Sequence, residues 1–485
     1  MAHPAFLERI RRALDYDESS HRGGLRLSGR GELFGLPSRW EHHTHADGRL
    51  VERVGSRMPS SRGFDGARGW ALDATGLVAP CELGDLEFLR LYDAVLTGAW
   101  LHPNGAIDVD AVSTSGTHAR LALRWRGGRG RYHLSVDTRS DEPHALTPAA
   151  GVPFTVRFAR YGLRGWARVP TVITLETGHL VDRITVDAVT ADDAIDAAAP
   201  ARHDGTTFSA TTDTPVRVRR SRRGRLPLVD AAVDGRTVGP WLLDTGAGAM
   251  ALDTVVADAL ELSTRGRTWV TTSDGGTGAC FRVAQRFQLG PLCVSAPVFL
   301  DLDLTHLREA LGVKLAGIVG YDVFARCCAT LRDGGASLVL HPADDTLPPG
   351  YAWEPLRFEE RTPLVRCATA RGDGLFALDS GSAAPITCYA DIITAWALRS
   401  TTRRASWMYG ASGRRAVRTS ALPWLSVGAA RFDRVRATLD AERDTLASTP
   451  GRDGTIGWPL LARLDPILDC KHARIALPQG PRAQP

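Results

Sequence analysis

Alternation of apolar and polar residues dominates the first 215 positions of the chain. Residues 119–125, 131–136 and 183–189 carry an apolar side chain at every second position, between turns rich in Gly, Asp and Pro. A period of two residues is typical of strands that bury one face. The pattern predicts a mostly antiparallel β domain over residues 1–215.

Two segments of this region have a helical period instead. Phe6, Leu7, Ile10 and Leu14 recur at a spacing of three or four residues, with charged residues between them. Residues 83–101 form a longer stretch with apolar residues at helical spacing. We therefore expect one or two helices against the sheet.

Two apolar runs in the second half of the chain end in the same short pattern. Residues 241–243 precede Asp244-Thr245-Gly246-Ala247, and residues 375–378 precede Asp379-Ser380-Gly381-Ser382. The two Asp residues lie 135 positions apart (379 − 244). A single Asp-Thr-Gly is most often an ordinary turn at the end of a strand, so the pair needs further support.

That support comes from the residues that follow each pattern. Residues 317–340 align with 454–477 without a gap at an offset of 137, with seven identical positions. Both segments begin with Gly-x-hydrophobic-Gly, at Gly317 and at Gly454. Such self-similarity predicts an internal duplication with lobes over 216–345 and 351–480.

Paired carboxylates suit the hydrolysis of peptide bonds. Two carboxyl groups held close together cannot both ionise easily, so they share a proton. The ionised member can take a proton from a water molecule while the protonated member polarises the scissile carbonyl. Asp244 and Asp379 are the predicted catalytic residues, and this chemistry needs no metal and no cofactor.

These motifs resemble those of the pepsin-like and retropepsin-like aspartic peptidases, and the domain order is similar to that of bacterial aspartyl protease family proteins. The resemblance covers about the last 260 residues. It implies a mainly β fold, in which a duplicated two-lobed β-barrel peptidase follows a half-barrel-like β domain. A single chain should then form the site as a monomer, with a peptide or protein substrate in the cleft.

The resemblance also implies roles for the neighbours of each Asp. The hydroxyl groups of Thr245 and Ser380 should bond to the backbone of the opposite lobe. Gly246 and Gly381 should allow close approach of the two loops and adopt backbone angles closed to other residues. Ala247 lacks a hydroxyl where acid-acting relatives often have one, which predicts a pH optimum less acidic than that of a stomach enzyme.

Flap hairpins that cover the substrate are expected from both lobes. The glycine-rich segments at Gly275-Gly276 and at Tyr409-Gly410 are the candidates, and only the second has a Tyr. Ordinary surface hairpins are the alternative interpretation.

A fainter resemblance concerns the N-terminal domain. Gly63-Phe64-Asp65-Gly66, followed by Trp70 and Asp73-Ala74-Thr75-Gly76, is similar to half-barrel domains related to lipoprotein carriers. It implies an apolar ligand in the concave face of the sheet. A sheet whose concave face is filled by its own side chains remains the alternative.

Composition narrows the partners and the location. The 485 residues carry a net charge of +5, with 44% hydrophobic and 23% charged residues, as in ordinary folded proteins. The dense basic run at residues 219–225 is interpreted as a solvated linker or strand edge, with a processing site as the alternative. No fold motif for nucleic acid accompanies it.

Membrane, metal and redox signals are absent from the sequence. No apolar stretch is long enough for a membrane span, and no signal peptide is visible. The eight cysteines lack Cys-x-x-Cys spacing, and His42, His43 and His45 have no ligand partner at metal spacing. We expect a cytoplasmic protein, with a secreted or periplasmic location left open.

The leading prediction is an aspartic endopeptidase that activates water with Asp244 and Asp379. A non-catalytic peptide-binding member of the fold is the alternative. A carrier of an apolar ligand through the N-terminal domain is a third possibility.

Overall fold

The structure is a computed structural model that describes residues 4–16, 23–102, 104–164, 167–201, 205–209, 214–273, 275–343, 346–401, 406–410, 413–442 and 445–479. The chain divides into two compact units. The first comprises the chain up to Ala201 together with Gly266–Trp269 and Thr449–Gly451, and the second comprises the rest.

A single thirteen-stranded antiparallel sheet forms the first unit, in the spatial order β6-β5-β4-β3-β2-β1-β13-β12-β11-β10-β9-β8-β7. Almost every strand therefore pairs with its neighbour in sequence, as the turn-punctuated alternation predicts. The strands are β1 (Gly24–Leu33), β2 (Leu36–His45), β3 (Leu50–Gly55), β4 (Ser60–Phe64), β5 (Gly69–Leu72), β6 (Val78–Pro80), β7 (Ile107–Ser115), β8 (His118–Trp125), β9 (Arg131–Asp137), β10 (Pro143–Pro148), β11 (Phe154–Arg164), β12 (Ala167–Thr177) and β13 (Leu180–Ala191).

Helices α1 (Pro4–Ala13) and α2 (Leu83–Thr97) pack on the apolar face of this sheet. Ile10 of α1 and Leu91 of α2 are fully buried in one core with Leu121, Leu134 and Phe158 of the sheet. Side chains of the protein itself therefore fill much of this face.

Three further sheets build the second unit. An eleven-stranded sheet has the order β14-β23-β22-β17-β18-β25-β19-β24-β21-β20, with β16 paired to β17. Its strands are β14 (Thr206–Phe208), β16 (Arg219–Arg220), β17 (Pro227–Val233), β18 (Arg236–Leu243), β19 (Ala251–Asp253), β20 (Ser263–Thr272), β21 (Gly275–Val283), β22 (Arg286–Leu289), β23 (Leu292–Ser295), β24 (Val298–Leu302) and β25 (Gly317–Val319). With helices α3 (Thr254–Ala259), α4 (Thr305–Leu311) and α5 (Tyr321–Phe324), we call it the first lobe.

An eight-stranded sheet, β29-β30-β31-β36-β32-β35-β34-β33, forms the second lobe with helices α6 (Ala390–Ala395) and α7 (Trp458–Leu464). Its strands are β29 (Arg357–Glu359), β30 (Thr362–Thr369), β31 (Gly372–Asp379), β32 (Ile386–Tyr389), β33 (Ser406–Tyr409), β34 (Arg414–Val427), β35 (Ala430–Asp440) and β36 (Gly454–Gly457). The remaining six-stranded sheet contains strands from both halves: β15 (Val216–Arg217), β26 (Cys328–Arg332), β27 (Ser337–His341), β28 (Tyr351–Pro355), β37 (Ile467–Asp469) and β38 (Arg474–Pro478).

The two lobes repeat one strand topology. In the first, β18 runs parallel to β25, β25 antiparallel to β19, and β19 parallel to β24. In the second, β31, β36, β32 and β35 have the same order and the same relative directions. The Gly-x-hydrophobic-Gly segments are the central strands β25 and β36.

Close backbone packing explains the glycines of these segments. A Cβ atom on Gly320 would lie 2.3 Å from the carbonyl oxygen of Ala249, and one on Gly457 would lie 1.9 Å from that of Ala384. No other residue fits such a gap without a shift of the backbone.

The predicted fold class is confirmed, because the chain is mainly β with several antiparallel sheets. The boundaries at 215, 345 and 351 stay predictions. Across the described residues, no helix is long and apolar enough to cross a membrane.

Candidate active site

Each predicted catalytic Asp lies at the carboxyl end of a buried strand. Asp244 follows β18, and its N–H donates to the carbonyl of Val319 on β25 at 3.0 Å. Asp379 is the last residue of β31 and pairs with Gly457 on β36. The apolar runs before the two motifs therefore place both carboxyl groups where a strand leaves the core.

The backbone after each Asp follows the same path in both lobes. Tyr321 N–H donates to the carbonyl of Ala247 at 2.9 Å, and Trp458 N–H donates to that of Ser382 at 2.9 Å. These bonds join each loop to the first residue of α5 or α7. The loops are thus held by equivalent contacts.

Thr245 and Ser380 join the two loops through four buried hydrogen bonds. The Thr245 hydroxyl donates to the Leu378 carbonyl at 2.7 Å and accepts from the Ser380 N–H at 3.0 Å. Reciprocally, the Ser380 hydroxyl donates to the Leu243 carbonyl at 2.7 Å and accepts from the Thr245 N–H at 2.9 Å. Each hydroxyl both donates and accepts, so the geometry of one loop depends on the other.

Gly246 and Gly381 each lie against the carboxyl group of the opposite lobe. A Cβ atom on Gly381 would lie 2.5 Å from Oδ2 of Asp244, and one on Gly246 would lie 2.8 Å from Cγ of Asp379. The expectation that these glycines adopt angles closed to other residues is wrong, because neither has a positive φ. Space, and not backbone conformation, requires glycine at both positions.

The two carboxyl groups are half-buried and share a hydrogen bond. Burial raises the pKa of Asp244, and the Gly246 N–H at 2.9 Å from Oδ1, with a hydrogen bond from Asp379, opposes the increase. Burial and the charge of Asp244 raise the pKa of Asp379 well above the usual Asp range. Both pKa values are thus raised, as is expected of two carboxyl groups close enough to share a proton.

A buried arginine acts on the second carboxyl group. Arg452 is 5% exposed, and its Nη2 donates to the carbonyl of Glu359 at 3.0 Å. Its positive charge lowers the pKa of Asp379, against the larger effect of burial. The repeat offset of 137 places the buried Leu315 at the equivalent position of the first lobe (452 − 137).

A buried ion pair lies in the same lobe. Arg415 forms an ion pair and a hydrogen bond with Asp440, which is 1% exposed. Burial raises the pKa of Asp440 to about 6, and burial raises the pKa of Tyr389 to about 12. The electrostatic surroundings of the two catalytic candidates therefore differ, although their loops match.

A further contact joins the loop after Asp244 to the second lobe. Thr362, at the start of β30, donates its hydroxyl to the carbonyl of Gly246 at 3.2 Å. Thr362 follows a turn without glycine and has no catalytic side chain, so no motif marks it. Its contact depends on how the two lobes pack.

The flap candidates differ in their surroundings. Gly275 and Gly276 begin β21, and Gly275 has a φ of 148° with open space around it. Tyr409 ends β33 and is 49% exposed, beside Trp407 at 54%. Strand β33 pairs with β34 and packs near α4 of the first lobe, so the second hairpin spans from one lobe to the other. The tip residues 274, 411 and 412 lie outside the described residues.

A small apolar cavity of about 20 Å³ lies under the two loops. Leu243, Thr245, Leu378 and Ser380 line it together with side chains of the six-stranded sheet. No group of three or more metal-binding side chains occurs in the described part of the chain.

Comparison with known proteins supports an aspartyl protease domain in part of the second unit. The family model described as aspartyl protease matches residues 229–323, which include Asp244 and the first Gly-x-hydrophobic-Gly motif. No curated protein matches the chain.

Two solved structures resemble the chain at low identity. A LolA superfamily protein from Nitrosomonas europaea is 11% identical, with 39% of this chain and 93% of that chain covered at a TM-score of 0.27. A DUF1329 family protein from Desulfovibrio piger is 10% identical, with 40% and 94% covered at a TM-score of 0.26.

Proposed function

We propose that the protein is an aspartic endopeptidase that hydrolyses peptide bonds with a water molecule activated by Asp244 and Asp379. The observation that carries the proposal is the interlocked pair of loops, in which four buried hydrogen bonds hold two hydrogen-bonded carboxyl groups together. The aspartyl protease match over 229–323 supports the same class.

The surroundings of the pair suggest how the proton is shared. Backbone N–H groups favour the ionised form of Asp244, whereas burial and the charge of Asp244 raise the pKa of Asp379 well above the usual Asp range. We assign the proton of the free enzyme to Asp379. Asp244 then takes a proton from the attacking water, while Asp379 donates its proton to the carbonyl oxygen.

The tetrahedral intermediate collapses when the C–N bond breaks. The leaving nitrogen takes the proton that Asp244 received, and Asp379 recovers its own from the hydroxyl of the intermediate. The cycle thus restores the starting protonation without a metal or a covalent intermediate. The buried site strengthens these electrostatic effects relative to water.

The substrate is an extended peptide that lies between the lobes. Such a peptide adds backbone hydrogen bonds as an extra strand does. Among the flap candidates, we propose that Tyr409 and Gly410 cover the substrate, since β33 reaches helix α4 of the first lobe. Both lobes belong to one chain, which allows a monomer to form the site.

One assay tests this function. Wild-type protein, Asp244→Asn and Asp379→Asn are incubated with a denatured mixture of proteins, with and without a statine-type inhibitor. Cleavage by the wild type alone, blocked by the inhibitor, is expected. Cleavage that survives either substitution would remove the carboxyl pair from the mechanism. Inhibitor binding without any cleavage would favour the non-catalytic peptide-binding alternative.

A further inference from the structure

Two turns in equivalent places of the lobes carry an arginine. The loop between β16 and β17 ends in Gly224 and Arg225, with φ values of 70° and 53°. The turn between β29 and β30 consists of Glu360 and Arg361, with φ values of 49° and 61°. The residue pairs lie 136 positions apart (360 − 224). We call them the first and second arginine turns.

Each arginine turn packs against the active-site loop of the opposite lobe. A Cβ atom on Gly224 would lie 3.7 Å from Cβ of Ala383, and one on Gly248 would lie 2.8 Å from the carbonyl oxygen of Glu360. Gly248 and Ala383 each lie four residues after a catalytic candidate. Each turn therefore lies against the loop that follows the catalytic candidate of the opposite lobe.

The second arginine turn brings its cation to the loop itself. Arg361 donates from Nη1 to the carbonyl of Gly248 at 3.4 Å. The loop residues 246–250 and 381–385 contain no charged side chain.

The first arginine turn adds exposed positive charge. Arg222, Arg223 and Arg225 are all exposed, and Arg223 donates from Nη1 to the carbonyl of Glu309 on α4 at 3.3 Å. Among the described residues, no carboxylate pairs with Arg225. Burial and then the positive charge of Arg225 lower the pKa of Arg220. The loop is thus a concentration of like charge beside Ala383.

Both arginines adopt a backbone conformation that is unfavourable for most residues other than glycine. Three of the four turn residues are not glycine, although all four have the positive φ that glycine or asparagine adopts most easily. Residues with an unfavourable backbone conformation at equivalent places of both lobes point to a role for their side chains.

We propose that the two arginine turns select acidic substrates, so that the enzyme prefers extended peptides with Asp or Glu on both sides of the scissile bond. The proposal rests on the proposed function and names its substrate class. Guanidinium groups bind carboxylates through charge-assisted, often bidentate hydrogen bonds. A cationic group on each side of the cleft would hold such a peptide in register with the carboxyl pair.

Binding tests the proposal without cleavage. The full-length Asp379→Asn protein is titrated with two fluorescent twelve-residue peptides, which carry two Glu or two Gln on each side of a central Phe-Leu. The Glu peptide should bind about tenfold more tightly at low salt, as charge-assisted hydrogen bonds predict. The preference should shrink at higher ionic strength.

Matched variants assign the preference to the turns. Arg225→Asn and Arg361→Asn remove the charges but suit a positive φ, and together they should reduce the preference to about twofold or less, the level of a weak exposed ion pair. Arg332→Asn, an exposed arginine on β26 of the six-stranded sheet, is the control and should keep the preference. Equal binding of both peptides, or a preference that survives the double substitution, overturns the proposal.

Cleavage and competition complete the test. Wild-type cleavage sites in a denatured protein mixture should be enriched in Asp and Glu, and the double variant should lose this enrichment. Cleavage without enrichment overturns the acidic preference and leaves the peptidase function standing. Peptide binding that depends on the arginines, in the absence of cleavage, overturns the peptidase function and leaves the acidic preference standing. A single-stranded oligonucleotide that displaces the Glu peptide at equal concentration would show a site for polyanions in general and overturn the peptide assignment.

Discussion

Replacement of Thr245 by Val should weaken the second unit and loosen the site. The change keeps the shape of the side chain but removes two of the four bonds between the loops. It leaves the Leu378 carbonyl and the Ser380 N–H without these partners in a buried region. Each buried group that loses its partner costs about 1–3 kcal/mol.

The cavity under the loops limits the loss. Its volume of about 20 Å³ is enough for one water molecule once polar groups line it. Such a water would restore part of the lost bonding, so we expect the free energy of unfolding to fall by about 2–4 kcal/mol. The cleavage rate should fall at least tenfold, since small displacements of catalytic groups are costly.

The same chemical change at Thr387 is the matched control. Thr387 is 2% exposed on β32 of the second lobe, and within the described residues its hydroxyl has no hydrogen-bond partner. Thr387→Val should therefore be neutral or stabilising by up to about 1 kcal/mol, because burial of an unpaired hydroxyl is unfavourable. Thr245→Ser, which keeps both bonds, should retain most of the activity.

Urea unfolding of the full chain, followed by hydrogen exchange of peptides from β18 and β31, measures these differences. Exchange localises the loss to the second unit, which matters because two units need not unfold together. A cost of Thr245→Val no larger than that of Thr387→Val would refute the assigned role of the four bonds.

Three further predictions concern charge. Asp379→Asn should abolish cleavage yet stabilise the fold by about 0.5–2 kcal/mol at pH 7, since a raised carboxyl pKa disfavours the charged form in the folded state; a lower melting temperature would contradict this. Ala247→Thr should lower the pH optimum of cleavage by about half a unit or more, because a hydroxyl donor favours the ionised form of the carboxyl pair. An unchanged pH–activity profile would contradict this prediction. At His42, burial lowers the pKa, but the surrounding carboxylates have the larger effect. They, and above all Asp93 at 2.7 Å, raise the pKa of His42 to about 9. Because its pKa is 6.5 when unfolded, its contribution is complete below pH 6.5 and is lost as the pH rises through 9. Urea unfolding of the full chain should show a loss of about 3 kcal/mol over this window, smaller in Asp93→Asn.

Residue type and repetition made the candidate catalytic pair visible in the sequence. Asp244 and Asp379 combine a reactive side chain with a preceding apolar run and a shared downstream motif, and each of these signals is local. Strand alternation likewise predicted the antiparallel sheet of the first unit, because each strand there pairs with its sequence neighbour.

Contacts that depend on how the two lobes pack together could not be predicted from the sequence. Thr362 and Arg361 meet Gly246 and Gly248 across more than one hundred positions, and neither belongs to a motif. The basic run at 219–225 was interpreted as a linker or strand edge from its composition alone. The structure pairs its first two residues as β16 with β17 and places the other five in the loop that leads to β17, which includes the first arginine turn.

Divergence between the lobes accounts for the difference between the two carboxyl groups. A site made of two identical halves would hold equivalent carboxyls, and only the shared proton would distinguish them. When both halves belong to one chain, a substitution can alter one half and leave the other unchanged. At equivalent positions, the second lobe has Arg452 where the first has the apolar Leu315, and Ser382 where the first has Ala247. The buried cation keeps the pKa of Asp379 lower than burial alone would set it. The matching strand topology of the two lobes accounts for the geometry of the pair, and the residues at which the lobes differ account for its unequal electrostatics.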